Sequence, residues 1–463
     1  MPWPILIAAA AVSLLLGKLI PGFNSHLTML AVAGITVAGL TFFSPKIGLG
    51  ILVFSMLLSP EIGIGAVGYR DVVIRYDDIL VMIVFFAWFA RTAIFKEKAF
   101  IAFTPVNMPI FIYTSIFVIS TALGIMEDRL SYKESSFYVL KYIEYFMLFF
   151  MVVNIVTDAE DVKGYLVCGL ITALVVLVYG IVMYAVFEKG FRVALPFESK
   201  LGEKSWGEPA TAGGYYLILM GMLLGFYTQL KGWFSRFSMV LFIVTVPVFL
   251  LTLSRASYAS FAVLVLAGII LTKRKKMNLI MLTIGLVIGG SFLSPFLGNI
   301  VKERVLFTFV GQRAPQSFNI APGMSLTLES SSAARVRAWQ RIIFEKFPQK
   351  PFLGWGTPGV GLVDSQIPLV LGETGLIGLA AFFWMLYRVW FVGRYVHKKA
   401  QNDVDAALGF SLTIIVLALI MQTFGVNTFI IVRVMEPFWF IAALVAVRYS
   451  KYKAAEVTAQ AVV

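Results

Sequence analysis

Charge is scarce in this chain. Only 14% of its 463 residues are Asp, Glu, Lys or Arg, whereas an average soluble domain carries about 25%. Hydrophobic residues make up 59% and the mean hydropathy is +0.88, which excludes a soluble globular protein. Cysteine is nearly absent: Cys168 stands alone, cannot close an intrachain disulfide, and reads in its apolar run as a small buried residue. The only two histidines, His26 and His397, lack the neighbouring carboxylate or cysteine spacing of a zinc site. No histidine-built metal centre, and no cofactor, is therefore expected. The net charge of +13 would suggest nucleic acid as partner for a soluble protein. Here its distribution among loops matters more, and no nucleic acid is expected.

What the chain has in abundance is long apolar runs. A membrane span needs about 20 predominantly apolar residues, and such runs lie near 4–20, 27–43, 46–59, 79–95, 107–125, 139–156, 162–187, 209–228, 237–253, 256–272, 278–296, 367–391, 405–424 and 430–447. The fold class expected is an all-α integral membrane protein of about 12–14 transmembrane helices. Residues 1–296 form an N-terminal bundle, 297–366 a long outer loop, and 367–463 the C-terminal helices with a short tail. Residues 1–20 lack a basic leading region and read as a first span, not as a cleaved signal peptide.

Orientation follows from Lys and Arg beside the span ends. One alternating set of loops contains Arg91, Lys96 and Lys98; Lys231 and Arg236; Lys273 to Lys276; Arg388, Arg394, Lys398 and Lys399; and Arg448, Lys451 and Lys453. That set is assigned to the cytoplasm, with both termini. Four ionisable residues fall within spans, Lys141 with Glu144 and Arg433 with Glu436. Each pair is spaced i, i+3, so its members share a helix face and can neutralise each other, either as a structural ion pair or as the relay of a transporter.

In the outer loop, Ser330 to Ser332 precede an amphipathic helix over 333–347, stopped by Pro348. Val336, Trp339, Ile343 and Phe347 make its apolar stripe, while Arg337 and Arg341 share another face, as in a helix lying at the membrane interface. Arginine suits phosphate because its planar, permanently charged fork donates in pairs. Arg335, Arg337 and Arg341 share the outer side with Arg255, which ends a span in Leu-Thr-Leu-Ser-Arg-Ala-Ser. Anchoring to lipid headgroups is the plainer role for such residues. The glycine-rich segment 352–365 follows, with Gly354, Gly356, Gly359 and Gly361 permitting close approach of backbone to a ligand. Asp364 then precedes the next span, where it could cap the helix.

Three motifs resemble the bacterial family of O-antigen ligases and O-antigen polymerases, integral membrane glycosyltransferases of the GT-C type. Leu251-Thr-Leu-Ser-Arg255-Ala-Ser is similar to the family's Ser-Arg-Gly element. Arg335-x-x-x-Trp339 followed by Pro351-Phe-Leu-Gly-Trp-Gly356 resembles its outer-loop pattern. Asp364-Ser365, Gly375 and Gly378 keep the spacing of the ligase signature, with Asp364 in place of its histidine. Weaker similarity extends to Ile74-Arg75-Tyr76-Asp77-Asp78-Ile79 and to Leu140-Lys141-Tyr-Ile-Glu144-Tyr.

The resemblance implies transfer of a glycan from an undecaprenyl-pyrophosphate donor to a glycan or lipid acceptor, at the periplasmic face of the bacterial inner membrane and without nucleotide or metal. Membrane lipids and other polysaccharide-export proteins are the further partners implied. Asp364 would act as base and Arg335 as a catalytic charge, Arg255, Arg337 and Arg341 would hold the pyrophosphate, and Arg75, Asp78 and Glu373 are further candidates. The aspartate in the histidine's place favours a polysaccharide polymerase over a ligase joining the glycan to lipid A core or protein. A transporter of lipid-linked glycans is the alternative of another class, with the intramembrane pairs as its coupling residues. Arg75, Asp77 and Asp78 could equally be an ion cluster at the outer face.

Overall fold

A computed structural model describes residues 25–67, 70–95, 102–187, 192–198, 208–292, 316–321, 324–328, 330–361 and 363–461. The expected first span, 4–20, lies outside them. The helices are α1 (Ser25–Phe43), α2 (Pro45–Leu58), α3 (Tyr76–Phe95), α4 (Asn107–Met126), α5 (Tyr132–Ile155), α6 (Ala159–Val182), α7 (Pro209–Gln229), α8 (Gly232–Leu250), α9 (Arg255–Leu271), α10 (Lys276–Phe292), α11 (Ser330–Gln340), α12 (Gln366–Lys399), α13 (Asp403–Gln422) and α14 (Val432–Ala461). A π-helical turn, Arg341–Lys346, and a 3₁₀ turn, Phe347–Gln349, extend α11. Two short antiparallel hairpins interrupt the helical order, β1 (Glu61–Val67) with β2 (Arg70–Arg75), and β3 (Gln316–Ala321) with β4 (Met324–Leu328).

Among the described residues eight helices are long and apolar enough to cross a membrane: α3 to α8, α12 and α13. Shorter apolar helices lie within α1, α2, α9 and α10. The chain is an all-α, multi-pass membrane protein. Large apolar side chains such as Phe86, Phe111, Val178 and Ile270 face outward, as they do where lipid is the solvent.

Local sequence accounts for the helix boundaries. Proline at the first turn opens α2 and α7, where a missing N–H costs nothing. Asp158 and Asp161 form a reciprocal capping box on α6, and Asn402 accepts from the Asp405 amide (2.8 Å) to cap α13. Helix α7 is apolar all round and lies at the centre, with Leu217, Met220 and Leu224 fully buried. Its glycines let neighbours come close: a Cβ on Gly221 or Gly225 would collide with Ile415 or Ser411 of α13. Small residues of this kind are what brings membrane helices together when lipid is as apolar as the core.

Lys- and Arg-rich segments gather at one end of the bundle. There Lys46 pairs with Asp161 (2.8 Å), Arg274 with Asp403 (2.5 Å) and Lys399 with Glu456 (2.9 Å). The Lys275 ammonium donates to the Tyr227 and Leu230 carbonyls (both 2.8 Å), closing the last turn of α7. The opposite end holds the β1–β2 hairpin, the 127–131 and 192–198 segments, α11 and the connection from α13 to α14.

Candidate functional site

At this loop end the connection after α13 is the meeting point. Trp339 of α11 stacks on Phe424, their rings 5° from parallel with centroids 6.4 Å apart. Ser365 Oγ donates to the Phe424 carbonyl (3.0 Å), and the Gln366 amide to the Thr423 carbonyl (3.0 Å). Asn427 Nδ2 donates to the Val363 carbonyl. A Cβ on Gly425 would lie 3.1 Å from that of Ala256, so the start of α9 borders the same segment. Gln422 donates to Ser257 (2.9 Å), which is also bonded to Ser254 (2.8 Å). The Ser-Arg-Ala-Ser element, α11 and the stretch before α12 therefore surround residues 422–427. Arg255, the first residue of α9, is half-buried, as are Arg335 and Arg341, while Arg337 and Asp364 are exposed. Arg341 Nη2 donates to the Val360 carbonyl (3.0 Å), four residues before Asp364.

Several expectations need correction. Helix α11 begins in the serine run, at Ser330, and its π turn at Arg341 shifts the buried face. Ala333 and Ile342 are fully buried, whereas Val336, Trp339, Ile343 and Phe347 are half-buried. Ile342 packs with Val360, Val363 and Leu369, so α11 is docked on the protein through this face. Ser365, not Asp364, occupies the N-cap of α12. This leaves the Asp364 carboxylate turned to the surface.

The glycine segment has a role in the fold. Helix α12 is broken at Gly375 (φ +66°), which frees the backbone groups on either side. The chain 351–356 bonds to them: Leu376 N donates to Pro351 O (2.8 Å), Trp355 N to Gly372 O (2.9 Å) and Gly356 N to Glu373 O (2.8 Å). A Cβ on Gly354 would lie 2.5–2.6 Å from the Glu373–Thr374 backbone, and one on Gly356 would lie 2.9 Å from that of Ser120 and Thr121. The buried Glu373 accepts from Thr357 Oγ1 (2.8 Å), which makes it part of this joint. Trp355 sits between the cations of Lys346 (4.3 Å to the ring centroid) and Arg129 (5.1 Å). The Lys350 ammonium and Arg129 guanidinium hold Glu127 below the usual carboxylate range.

Arg75 and Asp78 belong elsewhere, to a buried charge network. Arg75 Nη2 bonds the Met56 carbonyl (2.6 Å), Asp77 and, at 3.4 Å, Glu436 of α14. Lys141 of α5 bridges Asp78 (2.6 Å) and Glu144 (3.2 Å). The i, i+3 pairing foreseen for Lys141 and Glu144 is thus present but shared. The one foreseen for Arg433 and Glu436 is replaced: Arg433 takes Glu61 (3.0 Å) and the Leu57, Ser59 and Pro196 carbonyls. The reason is geometric, since the hairpin register sets Glu61 opposite Arg75 and supplies each α14 charge with a better placed partner.

Glu61 and Glu198 were missed, whereas the ion cluster expected of Arg75, Asp77 and Asp78 is present. Burial pushes Glu198 up to about 8, only partly offset by Arg433, with Glu61 and Glu208 adding to the rise. Their signal was position: under the alternating topology, residues 61 and 198 fall at the same end as Arg433. Elsewhere, Cys168 is half-buried and His397 contacts the Ala406 carbonyl through Nδ1 (3.1 Å). The chain matches no family model and no curated protein.

Proposed function

We propose that the protein is a glycosyltransferase that takes a glycan from a polyprenyl-pyrophosphate donor, most simply a surface-polysaccharide polymerase, with its site around residues 422–427 at the periplasmic side of the bacterial inner membrane. The observation that supports this reading is the convergence on Phe424 and Gly425 of the Arg255 helix start, the Arg335–Arg341 helix and the Asp364 segment. In the proposed reaction the acceptor hydroxyl oxygen attacks the anomeric carbon, its proton passes to Asp364, and the bond from that carbon to the pyrophosphate oxygen breaks. The electron pair leaves with the polyprenyl pyrophosphate, whose charge Arg255 and Arg335 stabilise, assisted by Arg337 or Arg341. A pyrophosphate leaving group needs no nucleotide. The reading differs from a ligase only in the acceptor.

The test is turnover by purified protein supplied with a lipid-pyrophosphate-linked oligosaccharide and no ATP, comparing wild type with Asp364→Ala and Arg335→Ala. Release of polyprenyl pyrophosphate with a ladder of longer glycans from wild type alone is expected. Product only when a separate acceptor is added makes the protein a ligase. Near-normal transfer by both variants removes the assigned site. The charge network keeps a second reading in view, a lipid-linked glycan transporter, for which the donor would change leaflet in liposomes without release of pyrophosphate.

A further inference from the structure

Helix α6 packs against α2 and touches α8, but among the described residues it makes hardly any contact with α7. A cavity of at most about 730 Å³ occupies the gap, bounded by Val53 and Met56 of α2, Gly169 of α6, Met222 and Phe226 of α7, and Ile441 of α14. Two observations independent of its outline show that the gap is open. Gly169 lines it, and a Cβ added there would meet nothing within 4 Å. Leu166, Phe226 and Ile441, which also line it, are only half-buried, whereas Leu217, Met220 and Leu224 on the other face of α7 are fully sealed.

The dimensions select the occupant. Along α7 the lining runs from Tyr215 to Phe226, about 16 Å at 1.5 Å per residue. That is about half of the 30 Å hydrocarbon layer, the depth of one leaflet. Spread over this length, the volume leaves a cross-section of at most about 45 Å². A helix, about 10 Å across with its side chains, is too thick for it, so neither a span of this chain nor one of a second copy fits. An extended hydrocarbon chain does.

The polar groups agree. Thr172 Oγ1 donates to the Cys168 carbonyl and the Tyr165 hydroxyl to the Lys46 carbonyl (both 2.9 Å), so both of these lining hydroxyls are engaged by the protein. The Tyr165 bond also brings the end of the cavity beside Lys46, which pairs with Asp161 (2.8 Å), and there a headgroup with phosphate and ammonium meets charges of both signs. The polyprenyl donor proposed above would need its pyrophosphate at residues 422–427, at the opposite end.

We propose that the cavity between α6 and α7 holds one acyl chain of a membrane phospholipid, with the headgroup beside Lys46 and Asp161. This lipid is a resident of the fold, separate from the transfer reaction, and its site stands or falls without that reaction.

The experiment uses the full-length protein purified in detergent from bacterial membranes. A diazirine-bearing residue placed at Gly169 is expected, on irradiation, to form an adduct with the mass of a phospholipid. The same residue at Val175, on the exposed side of α6, should capture detergent. Gly169→Phe fills the cavity and should lower the phospholipid retained per chain at least about tenfold in native mass spectrometry. Gly164→Phe, on the exposed surface of the same helix, should retain it. The photochemical adduct reads the site without filling it, so the test does not depend on Gly169→Phe folding. An adduct at position 169 with detergent alone, with a polyprenyl phosphate, or with a peptide of this chain or a second copy overturns the proposal. So does a folded Gly169→Phe that retains as much phospholipid as wild type.

Discussion

Trp339 and Phe424, 85 positions apart in the chain, lie face to face within 5° of parallel, and their stack fixes the arginine helix over the connection from α13 to α14. Such a pair is worth about 0.5–1.5 kcal/mol beyond the area it buries. Phe424→Ala should therefore loosen α11 and lower the proposed transfer activity by about tenfold, while Phe424→Tyr keeps most of it. Turnover, together with limited proteolysis between 330 and 350, checks this. Full activity in Phe424→Ala would detach α11 from the reaction.

The break in α12 gives a graded glycine series. Gly375→Ala and Gly354→Ala combine a positive φ with a Cβ forced against backbone, and each is expected to cost at least about 2 kcal/mol, enough to reduce folded yield severalfold. Gly361 has a positive φ but open space around its Cα, so Gly361→Ala should cost only about 1 kcal/mol. Thermal unfolding of the three variants side by side reads the order directly.

At the opposite end, Arg448 Nε bonds both oxygens of Asp405 (2.9 and 2.8 Å), with Nη2 and Tyr452 adding further bonds at 2.5 Å. Both residues are buried. Asp405→Ala leaves that arginine unpaired and should destabilise by about 3–5 kcal/mol, whereas Asp405→Leu combined with Arg448→Met should recover most of the loss. A double variant no better than the single one would contradict this account.

Glu198 gives a pH signature. Its carboxyl ionises at about 8 in the folded protein against an ordinary 4.5. Folding therefore favours the protonated form, so this contribution to stability is complete below about pH 4.5 and declines as the pH rises to about 8. Wild type should lose a few degrees in unfolding midpoint relative to Glu198→Gln between about pH 5 and pH 8. Parallel curves for the two proteins would show that Glu198 is not held protonated.

The spans among the described residues and the helix after the serine run were legible in the sequence because each is written locally, as apolar runs or as a serine run before a periodic segment. The convergence of Arg255, α11 and Asp364 was legible only as a shared side. Glycine roles were not, since Gly354, Gly356 and Gly375 answer to backbone on α4 and α12 that no local pattern reveals. The partners of Arg433 and Glu436 were misread for a related reason. Spacing i, i+3 says that two charges can meet, but Glu61 and Arg75, brought in by a hairpin, compete for them. Glu198 looks like an ordinary loop acid until the fold half-buries it near Arg433.

The bond between Arg75 and Glu436 spans 361 positions, which bears on how the protein is made. At about 5–20 residues per second, the ribosome takes roughly 20–70 s to deliver Glu436 after Arg75. For that interval the first hairpin and its neighbouring helices must wait in or beside the membrane with their charged groups still lacking this carboxylate. Biogenesis of this chain should therefore depend on an insertion machinery that shelters early helices until the last one arrives, and truncation before α14 should yield a product marked for degradation.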